Sequence, residues 1–305
     1  MPFLLAAILF GSTFSILFRL CQKWGIDRMQ VIFFNYVTAA LTSWASILWR
    51  TLSSAADLPA PGVGLPVTAL LLAPVLGFLF MSSFIVNDHS VLRAGVGLTT
   101  ASVRISLVVP VVLSWLVLGG PAPQWLPVGM LILAMVLIAL SGGKTAGGRL
   151  SEGGALSLVL VFLCYGICDF LLKFTQHTVS SAGGSLDLLK AMIFLCAMVL
   201  SLIICLLRGS FRHCASEGDG AVRRPATDLR TVAAGVFLGL ANMICTTLVL
   251  KALTLLPAGV FFPVYNIGIV TVVTLTGILA FKEPLRKAQI AGLALADCAI
   301  IILFS

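Results

Sequence analysis

Ten apolar stretches, each of membrane-crossing length, occupy almost the whole chain and leave no room for a soluble domain. A helix needs roughly 20 apolar residues to span a bilayer. Runs of that order lie at 3–21, 30–49, 66–86, 91–118, 124–141, 154–174, 186–207, 230–253, 257–281 and 288–304. Inside lipid, every backbone N–H and C=O must be satisfied by the protein itself, which leaves helices or a closed barrel. Barrel strands would alternate in polarity over roughly 10 residues. The runs at 65–80, 126–140 and 289–304 are solid instead. The expected fold class is an all-α membrane protein of ten transmembrane helices. Composition agrees: a chain 60% hydrophobic and 10% charged has too little polar surface to cover itself in water.

The net charge of +8 does not point to nucleic acid, because the basic residues form no stripe and sit in the links between crossings. Counting links in chain order, the odd ones and their flanks hold fourteen of the nineteen Lys and Arg residues. Arg50, Lys173, Lys190 and Lys251 fall on the even side, and Arg104 lies within a crossing. The positive-inside rule then places the odd links in the cytoplasm and both termini outside. The longest link, at about 209–229, is polar and is expected to be a cytoplasmic linker. The eight cysteines mostly lie in apolar runs without accompanying histidines, so they read as small core residues. No metal, cofactor or disulfide is expected. Residues 3–21 lack a basic leader and an obvious small-residue cleavage site, so they are expected to be a retained first helix.

The second five crossings repeat features of the first. Ser15–Arg19 matches Asp169–Lys173, each with a small or polar residue four positions before a cation. Ala94-Gly95-Val96 matches Ala258-Gly259-Val260, and each opens an apolar run containing a proline, Pro110 or Pro263. Five crossings per half is an odd number, so the second half (144–305) would run inverted to the first (1–143). Inverted repeats recur in secondary transporters, with the substrate site near the midplane between the halves.

The chain resembles the drug/metabolite transporter superfamily, in its EamA-type ten-helix branch. The resemblance rests on Ala258–Gly268 (AGVFFPVYNIG), Phe281–Leu285 (FKEPL) and the last helix around Gly292. Asn35-Tyr36, Asp169–Lys173 and Val96–Ser106 (VGLTTASVRIS) resemble one bacterial subgroup. The chain departs from the pattern after the fourth crossing, where Gly119-Gly120-Pro121 stands opposite the Glu283-Pro284 turn. The resemblance implies a 5+5 inverted repeat around a central cavity. It also implies transport of small metabolites across the inner (plasma) membrane, and the superfamily includes members that dimerise. Many members are described with cytoplasmic termini, opposite to the orientation that the charges favour.

Ionisable residues in a bilayer usually face a cavity or a partner. Arg104, in the fourth crossing, cannot shed its charge. It is either an anchor for a substrate carboxylate or phosphate, or the partner of Asp169 or Asp297. Tyr265 and Asn266 follow Pro263, whose missing N–H frees a backbone carbonyl; together with Ser102 they are expected to wall the site. Asn35 and Asn242 are candidates for the site or for interhelical hydrogen bonds. Asp169 and Lys173 are four apart on a helix, which suits a local ion pair or a coupling and gating role. Asp297 suggests packing or a dimer contact, Lys251 snorkelling, and Asn87–His89 a polar link between crossings.

The expected function is a secondary transporter of a small polar metabolite, amino acid-like or otherwise anionic or zwitterionic. Its partners would be that solute and the lipid bilayer. An ATPase would need a phosphate-binding Gly-rich loop, which the sequence lacks. Two other classes compete: an intramembrane enzyme acting on a lipid-linked substrate, and a non-transporting scaffold or sensor. The enzyme would need converging acid, base or metal residues, and histidines 89, 177 and 213 form no such cluster. A polar central cavity would separate a transporter from a scaffold.

Overall fold

In a chain this apolar the backbone can satisfy itself in lipid only by coiling, and the described residues are almost wholly helical. The computed structural model describes residues 2–53, 64–94, 96–119, 122–142, 153–208, 227–281 and 287–304. Their helices are α1 (Pro2–Trp24), α2 (Arg28–Ser53), α3 (Val67–Ala94), α4 (Val96–Ile105), α5 (Val108–Leu118) and α6 (Trp125–Gly142). They continue with α7 (Gly154–Ser181), α8 (Leu186–Leu207), α9 (Leu229–Leu255), α10 (Ala258–Phe281) and α11 (Lys287–Phe304). Seven spans are long and apolar enough to cross a membrane, one of them formed by α4 and α5 together; α1, α6 and α11 hold shorter apolar stretches. The Glu283-Pro284 turn and most of the polar link at 209–229 lie outside the described residues.

Helix ends follow local chemistry. Asp27 accepts the Met29 N–H at 2.8 Å before α2, and Ser185 and Asp228 serve α8 and α9 in the same way. Two boundaries differ from the sequence expectation. The polar residues 87–89 belong to α3, which runs on to Ala94, because no glycine or proline interrupts the chain between Gly77 and Gly95. The fourth crossing is split at Ser106–Leu107. Pro110 has no N–H to give the Ser106 carbonyl, which instead accepts from Val109 at 3.0 Å in a tighter turn.

Packing joins distant parts of the chain. α1 lies against α9 and α10, and α2 lies against α8 and α9. α3 packs on α7 and α8, α5 on α7, and α6 on α11. Helices in lipid gain by close approach of small residues. At Gly239 of α9 an added Cβ would stand 2.6 Å from the Asn35 carbonyl oxygen of α2, so only glycine permits this spacing. The main core is aliphatic, and a second cluster gathers Tyr36, Phe84 and Phe194 where α2, α3 and α8 meet.

Candidate functional site

The break in the fourth crossing leaves Arg104 in the last turn of α4, where the partial negative charge of a helix C-terminus favours a cation. Its Nη1 donates to Asn266 Oδ1 of α10 at 2.8 Å, across 162 residues of sequence. Its Nε is buried without a hydrogen-bond partner. Asn266 is held by its own amide, which donates to the Phe262 carbonyl one turn earlier at 3.0 Å. Arg104 and Asn266, expected in the site as separate contacts to a substrate, thus bond to each other.

Tyr265 stands beside this bond. Its ring stacks on Phe261, with centroids 5.3 Å apart, and its hydroxyl lies 3.5 Å from Cys245 Sγ. Gly11 of α1 makes room for that hydroxyl, which would be 2.7 Å from a Cβ at position 11. Asp169 and Tyr165 of α7 lie within electrostatic reach of Arg104, and Tyr36 lies within reach of Tyr165. Two of the three tyrosines of the chain, Tyr165 and Tyr265, thus lie within reach of Arg104, and Tyr36 neighbours Tyr165. Tyr36 and Tyr165 were not singled out as site residues from the sequence. A tyrosine placed well inside an apolar crossing is the signal that could have found them, since its hydroxyl needs a polar partner.

The remaining candidates divide. Asn242 donates to Asn35 Oδ1 at 3.2 Å and accepts from Thr246, joining α9 to α2, while Asn35 Nδ2 is left unpartnered. Ser102 donates to the Leu158 carbonyl at 2.7 Å, so its hydroxyl ties α4 to α7. Lys173 does not face Asp169; it donates to Gln176 at 3.1 Å and to the Leu253 carbonyl in the last turn of α9 at 2.5 Å. The cation within reach of Asp169 is Arg104. Asp297 is exposed on α11, and Lys251 lies 5.7 Å over the Phe3 ring.

The centre therefore combines a permanent cation, a carboxylate, hydroxyls and amides in an otherwise apolar bundle. Arg104 Nε is an unpartnered N–H donor there, which suits an acceptor-rich ligand. No protein-family model matches the chain. It is 28% identical to an uncharacterized protein of Haemophilus influenzae over 311 aligned residues, covering 99% of this chain and 97% of the relative. A protein known from a crystal structure is similar in fold, with a TM-score of 0.70 at 14% identity, 99% of this chain and 97% of that one being covered.

Proposed function

We propose that the chain is a secondary transporter of the drug/metabolite superfamily, EamA type, which carries a small anionic or zwitterionic metabolite across the inner membrane. The observation that carries the reading is the Arg104–Asn266 bond. It places a permanent charge at a broken helix within the bundle and links it to the other half of the chain. The packing supports two inverted halves. Pairing α1 with α7, α2 with α8, α3 with α9, α4–α5 with α10 and α6 with α11 maps the main contacts onto one another. The contact of α1 with α9 becomes that of α7 with α3, and α2 with α9 becomes α8 with α3. The contacts of α2 with α8 and of α6 with α11 map onto themselves.

In this mechanism a substrate carboxylate displaces the Asn266 amide oxygen from Nη1 of Arg104 and takes Nη1 and Nη2 in a bidentate grip, and the free Nε is left to donate to a further substrate oxygen. Asp169 receives the ammonium of a zwitterion. The hydroxyls of Tyr165 and Tyr265 fix the polar body. Exchange of partners at Arg104 loosens the link between the halves, which then rock around the site. The test is counterflow of a metabolite library into proteoliposomes. Wild type is expected to accelerate a set of carboxylate-bearing solutes, and folded Arg104→Gln to lose about tenfold or more of that rate. Equal rates in the folded variant, or no accelerated solute, refute the proposal.

A further inference from the structure

Two turns beyond Asp169, where the ends of α5 and α7 meet the start of α10, the bundle holds a cavity of about 150 Å3. We infer that this cavity is an outer binding site for the carboxylate of a small, mainly apolar acid, entered before the central site. The inference rests on the transporter reading and adds a substrate class to it.

The lining combines donors with an apolar wall and holds no acidic residue. Lys173 has three N–H donors. Two are accounted for by Gln176 and Leu253, which leaves one for a ligand. Ser114 of α5 lines the cavity, is only 5% exposed, and its hydroxyl has no hydrogen-bond partner. The first turn of α10 adds the N–H groups of Ala258 and Gly259. The Pro257 carbonyl is taken by Val260 and Phe261, and the opening N–H groups of a helix lack acceptors within it. An ammonium, a hydroxyl and a helix N-terminus on one small space favour an anion. Trp115 supplies an apolar wall, with His177 at the exposed edge. A cavity of about 150 Å3 has room for a body about the size of benzene.

The cavity shares two helices with the centre. The α7 residues that line it follow Asp169 by one and two turns, and its α10 residues precede Tyr265 by about two.

The experiment is calorimetric titration of the intact protein in lipid nanodiscs with benzoate, and with benzyl alcohol as the neutral isostere. Ser114→Ala and Lys173→Gln are made in the wild type and in Arg104→Gln. In Arg104→Gln, benzoate is expected to keep one site, and benzyl alcohol to bind it about tenfold more weakly. Lys173→Gln should weaken that site by about tenfold and Ser114→Ala by about fivefold. Ser114→Ala removes an unpartnered buried hydroxyl, which leaves the fold intact, so it decides the matter if Lys173→Gln does not fold. Benzoate binding that ignores both substitutions, or equal affinity for benzyl alcohol, overturns the outer site. If Arg104→Gln removes all binding, the outer site falls and the central one stands. If Arg104→Gln changes nothing while the other two act, the central reading falls and the outer site stands.

Discussion

The Arg104–Asn266 bond can be measured as an energy. Arg104→Gln removes the charge, Asn266→Ala removes the acceptor, and the double variant closes a cycle in which unrelated losses cancel. Among those losses is the Asn266 bond to the Phe262 carbonyl. A hydrogen bond to a charged group contributes about 1.5–3 kcal/mol, whereas neutral interhelical bonds in a bilayer average about 0.6 and reach about 1.7 kcal/mol. A 2.8 Å charged bond in a half-buried setting should fall where these ranges meet, at a coupling of about 1–2 kcal/mol. The assay is reversible unfolding in mixed micelles, run with and without a carboxylate-bearing solute that the counterflow assay identifies. Because a carboxylate would replace Asn266 as the partner of Arg104, saturating solute should bring the coupling close to zero. A coupling below about 0.3 kcal/mol without solute, the scatter of independent pairs, refutes a sustained bond. A coupling unchanged by solute refutes partner exchange.

Two further outcomes follow from packing and charge. Gly239→Val should force α2 and α9 apart and destabilise the fold by about 1–3 kcal/mol, read as a lowered Tm; an unchanged Tm refutes the close approach. Lys190 is 3% exposed and bonded to Asp187 at 3.0 Å and Thr247 at 2.7 Å, whereas Arg50, which shares Asp187, is 64% exposed. Lys190→Gln should therefore cost about 1.5–3 kcal/mol and Arg50→Gln no more than about 1 kcal/mol in the same unfolding assay; equal costs would refute the distinction.

Much of this was legible in the sequence for a simple reason: in an apolar run, a polar residue stands out. Arg104 was conspicuous, and Asn266 followed from its place beyond Pro263. What the sequence could not supply was the direction in which each side chain points. α10 is apolar on every side, so no stripe says which face meets which neighbour. Hence the bond of the Ser102 hydroxyl to Leu158 was not foreseen, and Lys173, expected beside Asp169, caps the end of α9. The split at Ser106–Leu107 was foreshadowed by Pro110, but the extension of α3 through Asn87–His89 was not. Polar residues between two crossings read as a link, yet without a breaker the helix continues through them.

The interlacing of early and late helices bears on how the protein is made. α1 and α2 rest mainly on α8, α9 and α10, which leave the ribosome late. During synthesis α1, α2, α3 and α5 are made before the helices on which they mainly pack. Asn35, whose partner is Asn242, waits for two-thirds of the chain to be built. The nascent protein is thus a set of inserted but unassembled helices, open to quality-control proteases until α9 arrives. Two fragments divided between α6 and α7 should assemble when produced together, and neither should persist alone.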